Sequence, residues 1–365
     1  MSSLPSKYAR FLAFSSLFLL AASGGCASNE RSQPPLLNKE SIPPNEARDT
    51  KKLIELIQKK MEKDYAKPLM KRGAHAKQHG CVKGIFIVDP KLPQELQVGI
   101  FKLPQSYPVW VRFSNSSPDV QSDQSRDMRG MAIKLANVEG ETLLKDATAL
   151  YTQDFILLSN PVLPVGTVKN FTKLVENSVN GHLFWFFISP IDSHLRELTL
   201  FIKGTKVHHN PLDLNYWSTT PYLFGTQTVK YSVRPSSDNT KKLENSLTPK
   251  DALREIMKQQ LEKQGASFDF MVQFQNNAES MPIEDASVEW SEKASVPRKV
   301  ATLHLPPQSF DSEAQETACE NLSFSPWHAL KEHRPLGGIN RARKDIYDVL
   351  SKLRHQKNKV APFPE

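Results

Sequence analysis

The chain has 365 residues, 39% of them hydrophobic, which suffices for one large domain or two modest ones with a full core. Its net charge of +8 arises from 47 Lys and Arg against 39 Asp and Glu. These charges are spread through KK and KxxK pairs rather than gathered into aromatic-interleaved stripes, a pattern that describes a solvated surface and argues against nucleic acid as a partner.

At the N-terminus, Lys7 and Arg10 precede an apolar stretch over residues 11–22, followed by Ser23, Gly24, Gly25 and Cys26. This reads as a secretory signal peptide over residues 1–25, too short to span a bilayer comfortably. Small residues directly before a cysteine resemble the lipobox of bacterial lipoproteins, although Ser23 stands where that motif usually has an aliphatic residue. The resemblance implies acylation of Cys26 and a lipid anchor; the plainer alternative is a cleaved leader with Cys26 incidental. Either way the leader implies export, to the periplasm or the outer membrane of a Gram-negative bacterium. With Cys26 set aside, Cys81 and Cys319 remain, and their spacing leaves open whether they pair.

Residues 26–45 are rich in Pro, Ser and Asn without an apolar period, as expected of a flexible tether ahead of a domain over 46–365. Leu53, Ile57 and Met61 recur every four positions among Lys and Glu, which predicts an amphipathic helix over 47–65. Strands are expected at VKGIFIVD, YPVWVRFS, GMAIKLA, DFILLS, TQTVKYSV, SFDFMVQFQ and KVATLHL. Helical patterns interrupt or follow them at 166–176, 249–264 and 339–354. Strands grouped in the first two thirds, with helices inserted or appended, argue an α+β fold built on an antiparallel barrel or sandwich.

On the last helix Arg343, Tyr347, Leu350 and Arg354 fall at i, i+4, i+7 and i+11 and form one stripe beside the apolar face. Partly buried guanidinium groups need anionic partners, and an arginine one turn before a tyrosine favours the phenolate. A phenolate is the form of tyrosine that binds ferric haem. Taken alone, the same stripe also describes an exposed basic helix with one amphipathic tyrosine.

Four segments in order, KRGAHAK, WVRFSNSS, RDMRGMAIKL and RARKDIY, resemble landmarks of the haem catalases: RxxHAK, VRFS, DxRGxAxK and RxxxY. FSPWHALKEHRPLGGINRARK and MPIEDASVEW are more similar to the short, catalase-related bacterial haem proteins. The resemblance covers roughly residues 70–160 and 325–355. It implies a catalase-like antiparallel β-barrel core with inserted and C-terminal helices, and haem b, in its ferric form, held between the barrel and the helix of Tyr347. Carried over residue by residue, Tyr347 is the axial ligand to iron, His75 the distal histidine and Ser114 the serine that orients it. Arg72, Arg112 and Arg354 match the arginines directed at the propionates, with Arg343 beside Tyr347. The implied activity is that of a haem-dependent hydroperoxidase acting on hydrogen peroxide or organic hydroperoxides. An imidazole can take a proton from one peroxide oxygen and return it to the other.

The chain departs from the pattern where catalases place a distal asparagine. Tyr151, Thr152, Gln153 and Asp154 stand there, with Gln153 the one amide available. Ala74 replaces a bulkier valine before the distal histidine and widens the expected channel. Those departures open two alternatives: rearrangement of fatty-acid hydroperoxides, as in catalase-related allene oxide synthases, and haem binding without catalysis by an envelope lipoprotein. His79 is read as a surface residue or a neighbour of the site, His208 and His209 as a polar loop, and Glu284 and Asp285 as a turn or cap. Hydrolase, zincin and nucleotide motifs are missing from the sequence.

Overall fold

Alternation of buried and exposed side chains along the second half of β1 (Gln78–Val88) marks a strand with one face in water. Its first half is buried on both faces, because helices cover it. The computed structural model describes residues 36–65, 69–146, 149–236 and 250–360. The expected leader and Cys26 lie outside these residues.

All seven expected strands are present, and two short ones join them. β1, β2 (Ser106–Asn115), β3 (Arg129–Leu135) and β4 (Gln153–Leu158) are successive antiparallel neighbours. β4 pairs with the two-residue β5 (Tyr216–Trp217), and β5 pairs in turn with β7 (Gln227–Pro235). From there β8 (Ala266–Phe274) and β9 (Arg298–Leu305) lead back to β1. The eight strands close an antiparallel barrel, and β6 (Tyr222–Phe224) lies beside β5 on the same edge of β7. Of the two architectures that the pattern allowed, the chain forms the barrel.

Aromatic rings fill the interior. Phe270 lies 4.7 Å from Phe155 and 5.0 Å from Phe86 between ring centroids, and Phe155 lies 5.0 Å from Tyr231. An eight-stranded barrel is just wide enough for such side chains, so this interior is core. Any large ligand must therefore bind outside it, between the barrel wall and the helices.

The helices sit at the connections. α1 (Glu46–Asp64) precedes the barrel, and α2 (Val168–Val179), α3 (Leu183–Ile188) and α4 (Leu195–Gly204) separate β4 from β5. α5 (Ala252–Lys263) joins β7 to β8, while α6 (Glu313–Asn321) and α7 (Gly338–Lys357) follow β9. α1 packs on α2 and α7 through its predicted stripe, in which Leu53 and Met61 are buried. Truncating Met61 to Ala would cost about 2–5 kcal/mol.

Part of the expected tether is held against the body. Asn38 accepts a hydrogen bond from Thr228 N at 2.8 Å, and Glu40 accepts from Arg334, Arg341 and Gly337 N. Cys81 on β1 and Cys319 on α6 form a disulfide across 238 residues of sequence. In the chain-entropy model, closing so long a loop stabilises the fold by about 5 kcal/mol.

Candidate active site

The segment leading into β1 carries His75 in a left-handed backbone conformation, φ +58°. Histidine tolerates this region better than most residues, at a cost of order 1 kcal/mol. The conformation is secured from the neighbouring strand: His75 N donates to Ser116 O and Ala76 N to Ser117 O, both at 3.2 Å. Asp127 fixes those serines in turn, accepting from Ser116 N and Ser117 N at 3.1 Å each and from Ser116 Oγ. The aspartate of RDMRG thus positions a histidine more than 50 residues before it through a shared backbone ladder.

The His75 imidazole has its Nδ1 3.0 Å from Ser114 Oγ. Gly130 is the cross-strand partner of Ser114, and a Cβ there would lie 2.5 Å from His75 Nδ1 and 2.8 Å from Ser114 Oγ. The bare glycine is the slot into which the ring fits. His75 is densely surrounded by protein yet keeps some accessible surface, as a group on the wall of a recess does. Burial pushes its pKa down to about 3, with the positive charges of Arg112, Arg343 and Arg72 adding to the effect. The ring is therefore neutral near pH 7. With Nδ1–H donating to Ser114, Nε2 keeps a free lone pair, the state that accepts a proton.

His79 is fully buried behind this wall, so of its two readings, surface residue or neighbour of the site, the structure excludes the first. Its Nε2 lies 2.7 Å from Asn115 Oδ1, and Arg129 Nη1 donates to the same oxygen at 2.7 Å.

Below the distal wall runs α7. Gly337 precedes it at φ +83°, where a Cβ would meet Ile283 O at 2.3 Å. The first amides of the helix find carboxylates: Gly337 N donates to Glu40 and Gly338 N to Glu284, both at 2.8 Å. Arg341 binds Glu40 (2.6 Å), Glu46 (2.6 Å) and Glu284 (2.7 Å), which locks α7 to the N-terminal segment and to the 283–285 loop. Glu284 thus caps α7, as the reading of it as a cap expected.

Arg343 Nη1 gives its hydrogen bonds to Thr220 Oγ1 (3.2 Å) and Asn340 Oδ1 (3.3 Å) rather than to Tyr347. Tyr347 is half-buried, and its hydroxyl has no hydrogen bond among the described residues. Burial raises the Tyr222 hydroxyl to about 12 against the opposing charge of Arg343, and Arg343 also adds to the lowering of His75 by burial and Arg112.

Arg72, Arg112 and Arg354 converge on Glu320, a residue that sequence reasoning did not single out. Arg72 Nη1 lies 2.9 Å from Glu320 Oε1. Arg112 donates to Gln78 Oε1 (3.1 Å) and His75 O (2.8 Å), and Arg354 to the carbonyls of Glu320 and Leu322. Burial, then repulsion from Arg72 and Arg354, hold Arg112 well below its ordinary pKa. Burial and Arg72 bring Arg354 down to about 9. Burial raises the Glu320 carboxyl, but Arg72, Arg112 and Arg354 outweigh it and leave it low. Of the three guanidinium groups, Arg72 reaches the carboxylate itself, while Arg354 meets the Glu320 backbone carbonyl and Arg112 acts on it from a distance; Arg72 Nη1 lacks a well-aligned hydrogen bond. Buried positive charge in this excess calls for further anionic groups.

Gln153 does not join the site. It is fully buried in the barrel wall, where its Oε1 accepts from Leu330 N (3.0 Å) and its Nε2 donates to Asp154 O (3.3 Å). Both ends of the amide are engaged with backbone, which removes it as a donor to a bound ligand. Ala74 and Tyr151 are exposed.

No family model matches the sequence, and no curated protein matches it. Solved structures do. A fungal catalase superposes with a TM-score of 0.63 at 17% identity, over 82% of this chain and 63% of that one. Catalase A from Saccharomyces cerevisiae gives 0.61 at 14% identity, over 82% and 64%, and a bacterial catalase 0.59 at 17%, over 86% and 63%. The chain thus spans just under two thirds of the length of these catalases. With the barrel and the connecting helices in view, the chain has the catalase fold.

Proposed function

We propose that the protein binds haem b between the distal wall and α7, and that it acts as a haem-dependent hydroperoxidase on hydrogen peroxide or organic hydroperoxides. The observation that carries this reading is the excess of buried positive charge at Arg72, Arg112 and Arg354, the first two within electrostatic reach of His75. Two propionates would balance three arginines and Glu320. Tyr347 is the residue that would ligate iron. When bound, haem supplies the redox centre at which the peroxide O–O bond is cleaved.

The chain's own residues handle the proton. His75 Nε2 would take it from one oxygen of a bound peroxide and return it to the other. Ser114 Oγ holds the Nδ1–H tautomer throughout, and Gly130 leaves room for the ring to lie flat on β3. The Cys81–Cys319 disulfide supports an oxidising, exported location, in keeping with the leader and a lipid anchor at Cys26.

The test is an absorption spectrum of the protein titrated with ferric haem b, with and without Tyr347→Phe. The expected outcome is a saturable Soret band that shifts in the variant. An unchanged band in the variant would remove Tyr347 as the ligand, and no band in either would remove haem.

A second reading is favoured by the engagement of Gln153. Without a distal amide donor, hydrogen peroxide is held less well than a hydroperoxide anchored by its organic chain, which points to fatty-acid hydroperoxide rearrangement. Mass spectrometry of the products from a lipid hydroperoxide separates the two, because rearrangement needs no reductant and releases no oxygen. Peroxide turnover no better than that of free haemin would instead identify a haem-binding protein without catalysis.

A further inference from the structure

Two of the three clustered arginines are held by one helix end. At the C-terminus of α6, Arg72 Nη2 donates to Cys319 O (3.2 Å) and Leu322 O (2.8 Å). Arg354 donates to Glu320 O and Leu322 O, and His355 Nε2 lies 2.9 Å from Asn321 O. Carbonyls at a helix C-terminus carry partial negative charge, so they attract cations. The Glu320 carboxylate adds a full charge beside Arg72.

The same helix end is fastened to the strand of the third arginine. Cys319 is bonded to Cys81, and Cys81 is the cross-strand partner of Arg112. Gln315 Nε2 donates to Cys81 O at 2.8 Å, a second tie between α6 and β1. Both cysteines are buried. The disulfide thus joins the strand pair bearing Arg112 to the helix end that orients Arg72 and Arg354. Three like charges brought together would otherwise spread apart.

We propose that the end of α6, fixed by Cys81–Cys319 and carrying Glu320, is a positioning device that aims the three arginines at a ligand with two carboxylates. It thereby sets the preference of the site for a free diacid porphyrin over an ester. The inference rests on the haem reading above and adds to it a positioning task for Glu320 and the disulfide. Glu320 is the fourth charge in the balance: with it, the cluster carries two surplus positive charges; without it, Arg72 loses its side-chain anchor.

The test uses the full chain, titrated with ferric haem b and, in the same mild detergent, with its dimethyl ester, each followed by absorbance. The wild-type protein is compared with Cys81→Ala/Cys319→Ala and with Glu320→Gln, and thermal melts are recorded beside each titration. The expected preference of the wild type for the diacid is about 100-fold. It should fall about 10-fold or more in both variants, while affinity for the ester changes less than about twofold. Equal losses for diacid and ester in the cysteine variant would make the disulfide a plain staple and overturn the inference. Tighter diacid binding by Glu320→Gln would overturn it too, by making Glu320 a competitor of the ligand. If the cysteine variant does not fold, the Glu320→Gln ratio decides alone. Failure of the wild type to bind either porphyrin would overturn the haem reading and this inference with it; binding with an unchanged ratio in the variants overturns only the inference.

Discussion

The distal wall and the arginine cluster are built by opposite means. His75, Ser114 and Gly130 sit on adjacent chain segments whose positions follow from backbone pairing, and the imidazole they hold is neutral. Arg72 and Arg112 lie on the same two segments as His75 and Ser114, but Glu320 and Arg354 come from α6 and α7, and the cluster is drawn together by side chains, helix-end carbonyls and a disulfide. The wall is complete in itself, whereas the cluster holds more positive charge than its one carboxylate offsets. A site of this kind keeps its chemistry rigid and makes its binding energy conditional on the right counter-charge.

The largest expected effect on function comes from breaking the wall. His75→Ala in the haem-loaded protein should lower peroxide turnover by roughly 10²–10⁴-fold while the Soret band persists. Full activity in that variant would remove His75 from the reaction. Gly130→Ala attacks the same wall by intrusion, since its methyl would sit within contact distance of both His75 and Ser114. It should destabilise the fold by about 1–3 kcal/mol and cut turnover with the haem affinity nearly intact. A crystal structure with an unmoved imidazole would contradict this.

A further effect is on stability against pH. His75, His79 and His333 have folded pKa values pushed from 6.5 down to about 3, by burial first. The unfolded chain therefore takes up protons, as pH falls below about 6.5, that the folded chain refuses. Stability should be level above that point and decline toward pH 3. Glu40 and Glu320, lowered from 4.5, add to the loss in the lower part of the window. Denaturant melts across this range check it, and a flat profile between pH 7 and 4 would contradict the neutral, buried imidazoles.

The strands of the barrel were legible because alternation survives wherever one face meets water. β5 and β6 were not, since two or three residues carry no period. Nor was α3, where Leu183, Phe184 and Trp185 are exposed beside buried Phe186 and Phe187, so no single apolar face repeats. α6 escaped because EAQETACEN holds almost no apolar residues. Among site residues, His75, Arg72, Ser114 and Arg112 lay in segments whose order carried the catalase resemblance. Gly130 was visible within RDMRG, but its task appears only when β3 is laid against β2. Glu320 had no signal, being one carboxylate in an unremarkable helix, and neither did the Cys81–Cys319 bond, whose partners are near only in space. The sequence leaves open whether Gln153 serves the site, and the structure answers it locally: its amide matches two backbone groups of the wall.

β5 also bears on how the molecule assembles. Its two residues are the whole seam between β4 and β7, and the chain reaches them only after the excursion through α2, α3 and α4. Ring closure is thus a long-range event that follows the formation of the local hairpins. The amides of Tyr216 and Trp217 and their partners on β4 and β7 should exchange with solvent sooner than those of β1 and β2, making the seam the place where the barrel first opens.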